Sequence, residues 1–210
     1  MKKVKHRKGF TLVEMVVTMT LLAIFFTSVI VLLGPFTRIF YRVQELNRAQ
    51  LISDTILQTI KEQLKTAIRI DEIYTDAEHG QIILFTDSDG VYRLLDTRGG
   101  TRSVNDYQGT IVAAAIEMKE GQLWLSYYHT NSPILSDSTT YSATRGVEQI
   151  MSNSFYDQNQ IKLSFQPNTI EEMGLVKVQY MEVTVEIWLN ERKITDDKGV
   201  IQMQYRPEIS

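Results

Sequence analysis

The sequence predicts an α+β fold: one long N-terminal α-helix, half membrane-spanning and half amphipathic, packed on an antiparallel β-sheet body. Three observations predict it. An uncharged apolar run fills Met15 to Leu33; apolar residues at helical spacing continue to about Ile73; and beyond Thr75 the hydrophobic period falls to two, in short runs broken by turn residues. A composition that is 43% hydrophobic and 22% charged is that of a folded chain, and 210 residues suffice for one medium domain plus appendages.

Residues 1–9 are a basic leader. Lys2, Lys3, Lys5, Arg7 and Lys8 hold five of the 22 basic residues, which leaves 17 basic against 25 acidic groups for the rest. An acidic body does not suit phosphate binding, so no direct contact with nucleic acid is expected. The chain has no cysteine, which excludes disulfides, thiol nucleophiles and cysteine-based metal sites.

Residues 10–35 read as a transmembrane helix. The stretch "MVVTMTLLAIFFTSVIVLL" is nineteen residues without a charge, close to the ~30 Å thickness of a bilayer core at 1.5 Å per residue. The basic leader before it places the N-terminus in the cytoplasm and the remainder outside. A cleavable secretory signal fits poorly, because the run is too long and "VIVLLGPFTR" lacks a small-residue cleavage pattern. A plain signal anchor accounts for the hydropathy but not for Glu14, a carboxylate just inside the apolar helix, where acids are costly without a partner.

Those residues carry a resemblance. "KGFTLVE", Lys8 to Glu14, followed by a long apolar helix, resembles the class III leader of type IV prepilins and of the pseudopilins of type II secretion and competence machines. The resemblance implies cleavage after Gly9 by a prepilin peptidase and methylation of the new N-terminus at Phe10. It implies a helix that stays on the mature chain, and polymerisation into a filament from an inner-membrane assembly platform. Glu14 becomes its fifth residue. There the carboxylate of one subunit can meet the terminal ammonium of a neighbour, so that two charges disfavoured in lipid neutralise each other. Processing would leave 201 of the 210 residues, a length and strand content more like a minor pilin or minor pseudopilin than a bulk subunit. Retained Glu14 argues against the topmost place in the filament, where no neighbour lies above.

Residues 36–75 read as the amphipathic half of the helix. Gly34 and Pro35 should bend or locally melt it. Beyond them Ile39, Val43, Leu46, Ala49, Ile52, Ile56, Ile60, Leu64 and Ala67 step by three or four, a stripe for packing on a sheet. A coiled-coil seam is the other use of such a stripe, disfavoured by the irregular steps. From Phe10 to Ile73 the helix would measure about 95 Å.

Residues 76–210 read as a β-rich globular domain. "QIILFT" and "VYRLLD" flank the turn "DSDG", "TIVAAAIEM" and "LWLSYYH" flank "KEGQ", and "VEQIMSNSF" and "QIKLSF" flank "YDQN", three expected hairpins. Leu175–Leu189 should be the longest strand, followed by a turn at "TDDKG" and a last strand "VIQMQY". Asn131–Gly146, rich in Ser and Thr, should be a long exposed loop.

The remaining candidates carry little chemistry. Asp87, Asp89 and Gly90 start like a calcium loop but lack its further ligands, and Asp196–Asp197 likewise read as a turn. Gly99–Gly100 have no phosphate-loop continuation. His79 and His129 lack companions at ligand spacing and read as surface residues. Trp124, Tyr127, Tyr128 and Trp188 could form a recognition surface, but strand alternation puts part of the set in the core. No catalytic residue, cofactor site or metal site is expected. The competing reading is a single-pass anchored protein with an extracytoplasmic binding or hydrolase domain.

Overall fold

The computed structural model describes residues 11–105, 111–128 and 144–209, with the backbone alone at 103, 105, 111–115 and 144–145. The chain divides into two compact units, residues 1–45 and 46–210.

Helix α1 spans Leu12–Lys65. It does not melt at Gly34–Pro35. Pro35 offers no N–H to the carbonyl one turn back, and just beyond it the Thr37 hydroxyl donates to the carbonyls of Leu33 (3.1 Å) and Gly34 (2.9 Å). The helix ends at Lys65, short of Ile73, and the β body begins earlier than the pattern predicts, with β1 at Ala67–Asp76. Bulges in the β1 ladder explain the misreading. Register shifts between Ala67 and Arg69 and between Ile70 and Glu72 bury Ala67 and Ile70, three residues apart, so a bulged strand imitates helical spacing.

Besides the last part of α1, the described residues of the second unit form strands β1 to β11 and a short helix. The strands are β1, β2 (Gly80–Asp87), β3 (Tyr92–Asp96), β4 (Gly100–Asn105), β5 (Ile111–Met118), β6 (Trp124–Tyr128), β7 (Thr144–Gln149), β8 (Asn159–Glu172), β9 (Leu175–Leu189), β10 (Arg192–Gln202) and β11 (Glu208–Ile209), with α2 at Asn153–Tyr156. They lie in the order β1-β11-β9-β8-β2-β3-β6-β7-β4-β5, with β10 on β9 and β1 also bonded to β2. The ladders are antiparallel except for the short pairings β1–β11, β2–β8 and β4–β7. The fold is therefore α+β, a long N-terminal helix followed by a β-rich body, as expected of a pilin-like chain.

Within this unit Ala49, Ile52, Ile56, Ile60 and Leu64 of α1 are buried at helical spacing. They share one core with Ile83 and Phe85 of β2, Leu163 and Phe165 of β8, and Val183, Val185 and Ile187 of β9. The stripe therefore packs on the sheet. Its first members, Ile39 and Val43, lie in the other unit and are exposed.

The β2–β3 hairpin forms as predicted. The Asp87 carboxylate accepts from the amides of Asp89 (2.9 Å) and Val91 (3.1 Å), Gly90 takes φ 75°, and Arg93 pairs with the same side chain. The other two predicted hairpins do not form. β5 pairs with β4, and β6 lies between β3 and β7. The connection between β5 and β6 is bonded sideways instead of folding back: Gly121 donates to the Thr97 carbonyl and Ile161 donates to that of Gly121, each at 2.8 Å. After β7 the chain enters α2, whose Tyr156 drops into the core and accepts a bond from the Leu123 amide (3.2 Å). Burial pushes that hydroxyl up to about 12, so it remains a neutral core group. β8 pairs with β9 along its whole length, from Asn159–Leu189 to Glu172–Leu175.

β9 spans the predicted Leu175–Leu189. The turn after it is Asn190–Glu191, at φ 48° and 64°, and "TDDKG" lies inside β10. Gly199 misled the reading. It is a packing glycine, because a Cβ there would meet Leu57 Cδ2 at 3.2 Å. Of the predicted Asn131–Gly146 loop, Thr144–Gly146 belong to β7 and the rest lies outside the described residues.

Candidate functional site

Gly9 and Phe10 lie outside the described residues; the site is visible from Thr11 onward. Thr11 precedes the first helical residue, and Glu14 stands in the first turn. Their bonds are reciprocal. The Thr11 amide and hydroxyl donate to Glu14 Oε2 at 2.9 and 3.0 Å, and the Glu14 amide donates to Thr11 Oγ1 at 3.3 Å. This is a capping box, in which two amides left over at a helix start satisfy two side chains three residues apart. The sequence reading missed Thr11. Its signal was the spacing T-x-x-E.

Beyond the cap, the large apolar side chains from Leu12 to Leu33 are exposed. Leu12 is 81% exposed, and even Val29, the least exposed large one of the run to Leu33, is 37% open. The hydroxyls among them do not need water. Thr18, Thr20, Thr27 and Ser28 each donate to the carbonyl four residues back, at 2.7–2.9 Å, which suits a helix in lipid. This surface needs a bilayer or other helices to cover it.

A family model described as the prokaryotic N-terminal methylation motif matches residues 4–30. The chain carries a class III leader. It is the leader of type IV pilins and pseudopilins, on a membrane-anchoring helix. Neither a curated protein nor a solved structure matches the chain. The methylation motif implies processing by a prepilin peptidase and pilus assembly, and the match covers Gly9, Phe10 and Glu14 together.

The candidates outside the leader are built into the fold. The Asp87 carboxylate is used by its turn and by Arg93. Asp196 is paired with Lys193 at 3.4 Å on β10. His79 is not a free surface residue: it is mostly buried, with Nδ1 2.8 Å from Asp76 Oδ1 and Nε2 3.2 Å from Glu120 Oε1. Burial opposes ionisation of Asp76, but bonds from the His79 ring and from the backbone amides of His79 and Glu78 hold its pKa below the usual carboxylate range. His129 lies outside the described residues. Trp124 and Tyr128 are buried. Tyr127 bonds Glu148 (3.1 Å) beneath the Arg93 guanidinium, and the Trp188 ring carries Lys162 above it.

Proposed function

We propose that this chain is a minor pilin or minor pseudopilin, a structural subunit of a type IV pilus, a type II secretion filament or a competence filament, and not an enzyme. The observation that carries the reading is the methylation-motif match at residues 4–30 on a helix whose apolar surface is exposed until something covers it. The precursor sits in the cytoplasmic membrane with its N-terminus inside. Prepilin peptidase cuts after Gly9, Phe10 is methylated, and the helix enters a cell-surface filament beside other pilin subunits at an inner-membrane platform.

Glu14 then serves twice. Before assembly its carboxylate caps its own helix through Thr11; during assembly it meets the ammonium of a neighbouring Phe10. The bonds from Thr11 offset part of the cost of carrying a lone carboxylate at the membrane, and the charge itself awaits a partner. Shearing cells that carry the assembly machine should release this chain together with the bulk subunit. Recovery of the chain from membranes alone, while the bulk subunit is sheared off, would favour the single-pass binding or hydrolase protein instead.

A further inference from the structure

The β8–β9 hairpin ends in a two-residue turn, Met173–Gly174, with both residues in the left-handed region at φ 56° and 78°. Such turns are normally made by Asn-Gly or Asp-Gly, because an L side chain without a short polar group is strained there. At the first position the neighbouring β9–β10 turn keeps this preference with Asn190, although its second residue, Glu191 at φ 64°, does not. Met173 breaks it and gains no packing, being fully exposed. Leu175 and Val176 beside it are also exposed, and Val176 stands opposite Glu171 on one face of the hairpin. Glu172 is held by Lys177 and Arg206, whereas Glu171 has no ion-pair partner among the described residues. The tip is an apolar knob with one unpaired carboxylate at its side.

A matching hole lies on the same unit. A groove of about 610 Å³ runs between the last turns of α1 and the end of β10, lined by Lys61, Lys65, Val200 and Met203 among others. Val200 is 61% exposed, and neither lysine is ion-paired among the described residues. Two unpaired ammonium groups one helical turn apart, with Val200 and Met203 beside them and Gln202 and Gln204 completing the lining, suit a carboxylate carried beside an apolar side chain.

The geometry points to a contact between copies of this chain, in which the Met173 tip of one enters the Lys61–Lys65 groove of the next, Glu171 facing the lysines and Met173 and Val176 meeting Val200 and Met203. Knob and hole are different residues, so the contact either closes reciprocally between two copies or runs from copy to copy. It explains why a strained position holds a large apolar side chain. The inference goes beyond the filament reading and does not depend on leader cleavage.

The chain has no native cysteine, so full-length precursors bearing V176C and V200C, co-expressed in one membrane, report the contact by disulfide formation. The expected result is a cross-linked dimer that needs both variants and is absent when V200C is replaced by E191C, at the opposite end of β9. M173N makes the turn Asn-Gly. It should raise the thermal midpoint while lowering cross-linking about tenfold. E171K should abolish cross-linking, and K61E with K65E in the partner should restore it. Absence of the V176C–V200C dimer, or undiminished cross-linking in M173N, would overturn the contact and leave the filament reading untouched.

Discussion

Glu14→Gln should leave the precursor inserted, capped and cleavable, yet reduce its share of sheared filaments about tenfold or more. Gln serves a capping box as well as Glu does, so the bonds between residue 14 and Thr11 survive and only the charge is lost. Membrane insertion should if anything improve, because an amide is less costly in lipid than a carboxylate. Incorporation suffers because a neighbour's Phe10 ammonium then has no counter-charge. The readout is the ratio of processed chain in sheared filaments to processed chain in membranes, wild type beside mutant. Equal ratios would reduce Glu14 to a helix cap.

Asp96→Ala should be among the most destabilising single changes in the second unit. Asp96 is fully buried, and its carboxylate accepts from the Arg98 amide (2.9 Å), the Arg98 guanidinium (3.0 Å) and the Arg102 guanidinium (3.1 Å), with both arginines buried beside it. Removing one member of a buried charge cluster costs roughly 3–5 kcal/mol, a large share of the ~5–15 kcal/mol that holds a typical domain. Urea unfolding of a soluble fragment beginning at Tyr41 measures it, with Asp89→Ala, at an exposed turn position, expected within about 0.5 kcal/mol of wild type. A loss below about 1 kcal/mol for Asp96→Ala would mean that the arginines are held by other groups.

The N-terminal signal was legible because it is local. Lys8 to Glu14 and the apolar run depend on no distant contact, and the methylation motif matches the same residues. The helical stripe from Ala49 to Leu64 and the strand at Leu175–Leu189 were legible for the same reason: one period persists over many residues. The failures came where a local signal had a non-local cause. Ala67, at helical spacing from Leu64, is the first residue of the bulged strand β1. Gly199 looked like a turn because its actual reason, Leu57 on another element, is invisible in the sequence. Adjacent strands looked like hairpins, although β5 and β6 each found other partners. Thr11 was missed for a different reason. Its capping spacing to Glu14 is plain, but both residues lie inside the leader motif, which accounts for them without a cap.

The central claim is that Gly9 is the end of a leader and Phe10 the start of a subunit. The most direct test is mass spectrometry of the N-terminal peptide after co-expression with a prepilin peptidase. The account predicts a peptide that begins at Phe10, carries one added methyl group, and disappears in favour of the full-length precursor when Gly9 is replaced by a bulky residue. A chain that still begins at Met1, or one cut near Gly34 at the far end of the apolar run, would contradict it.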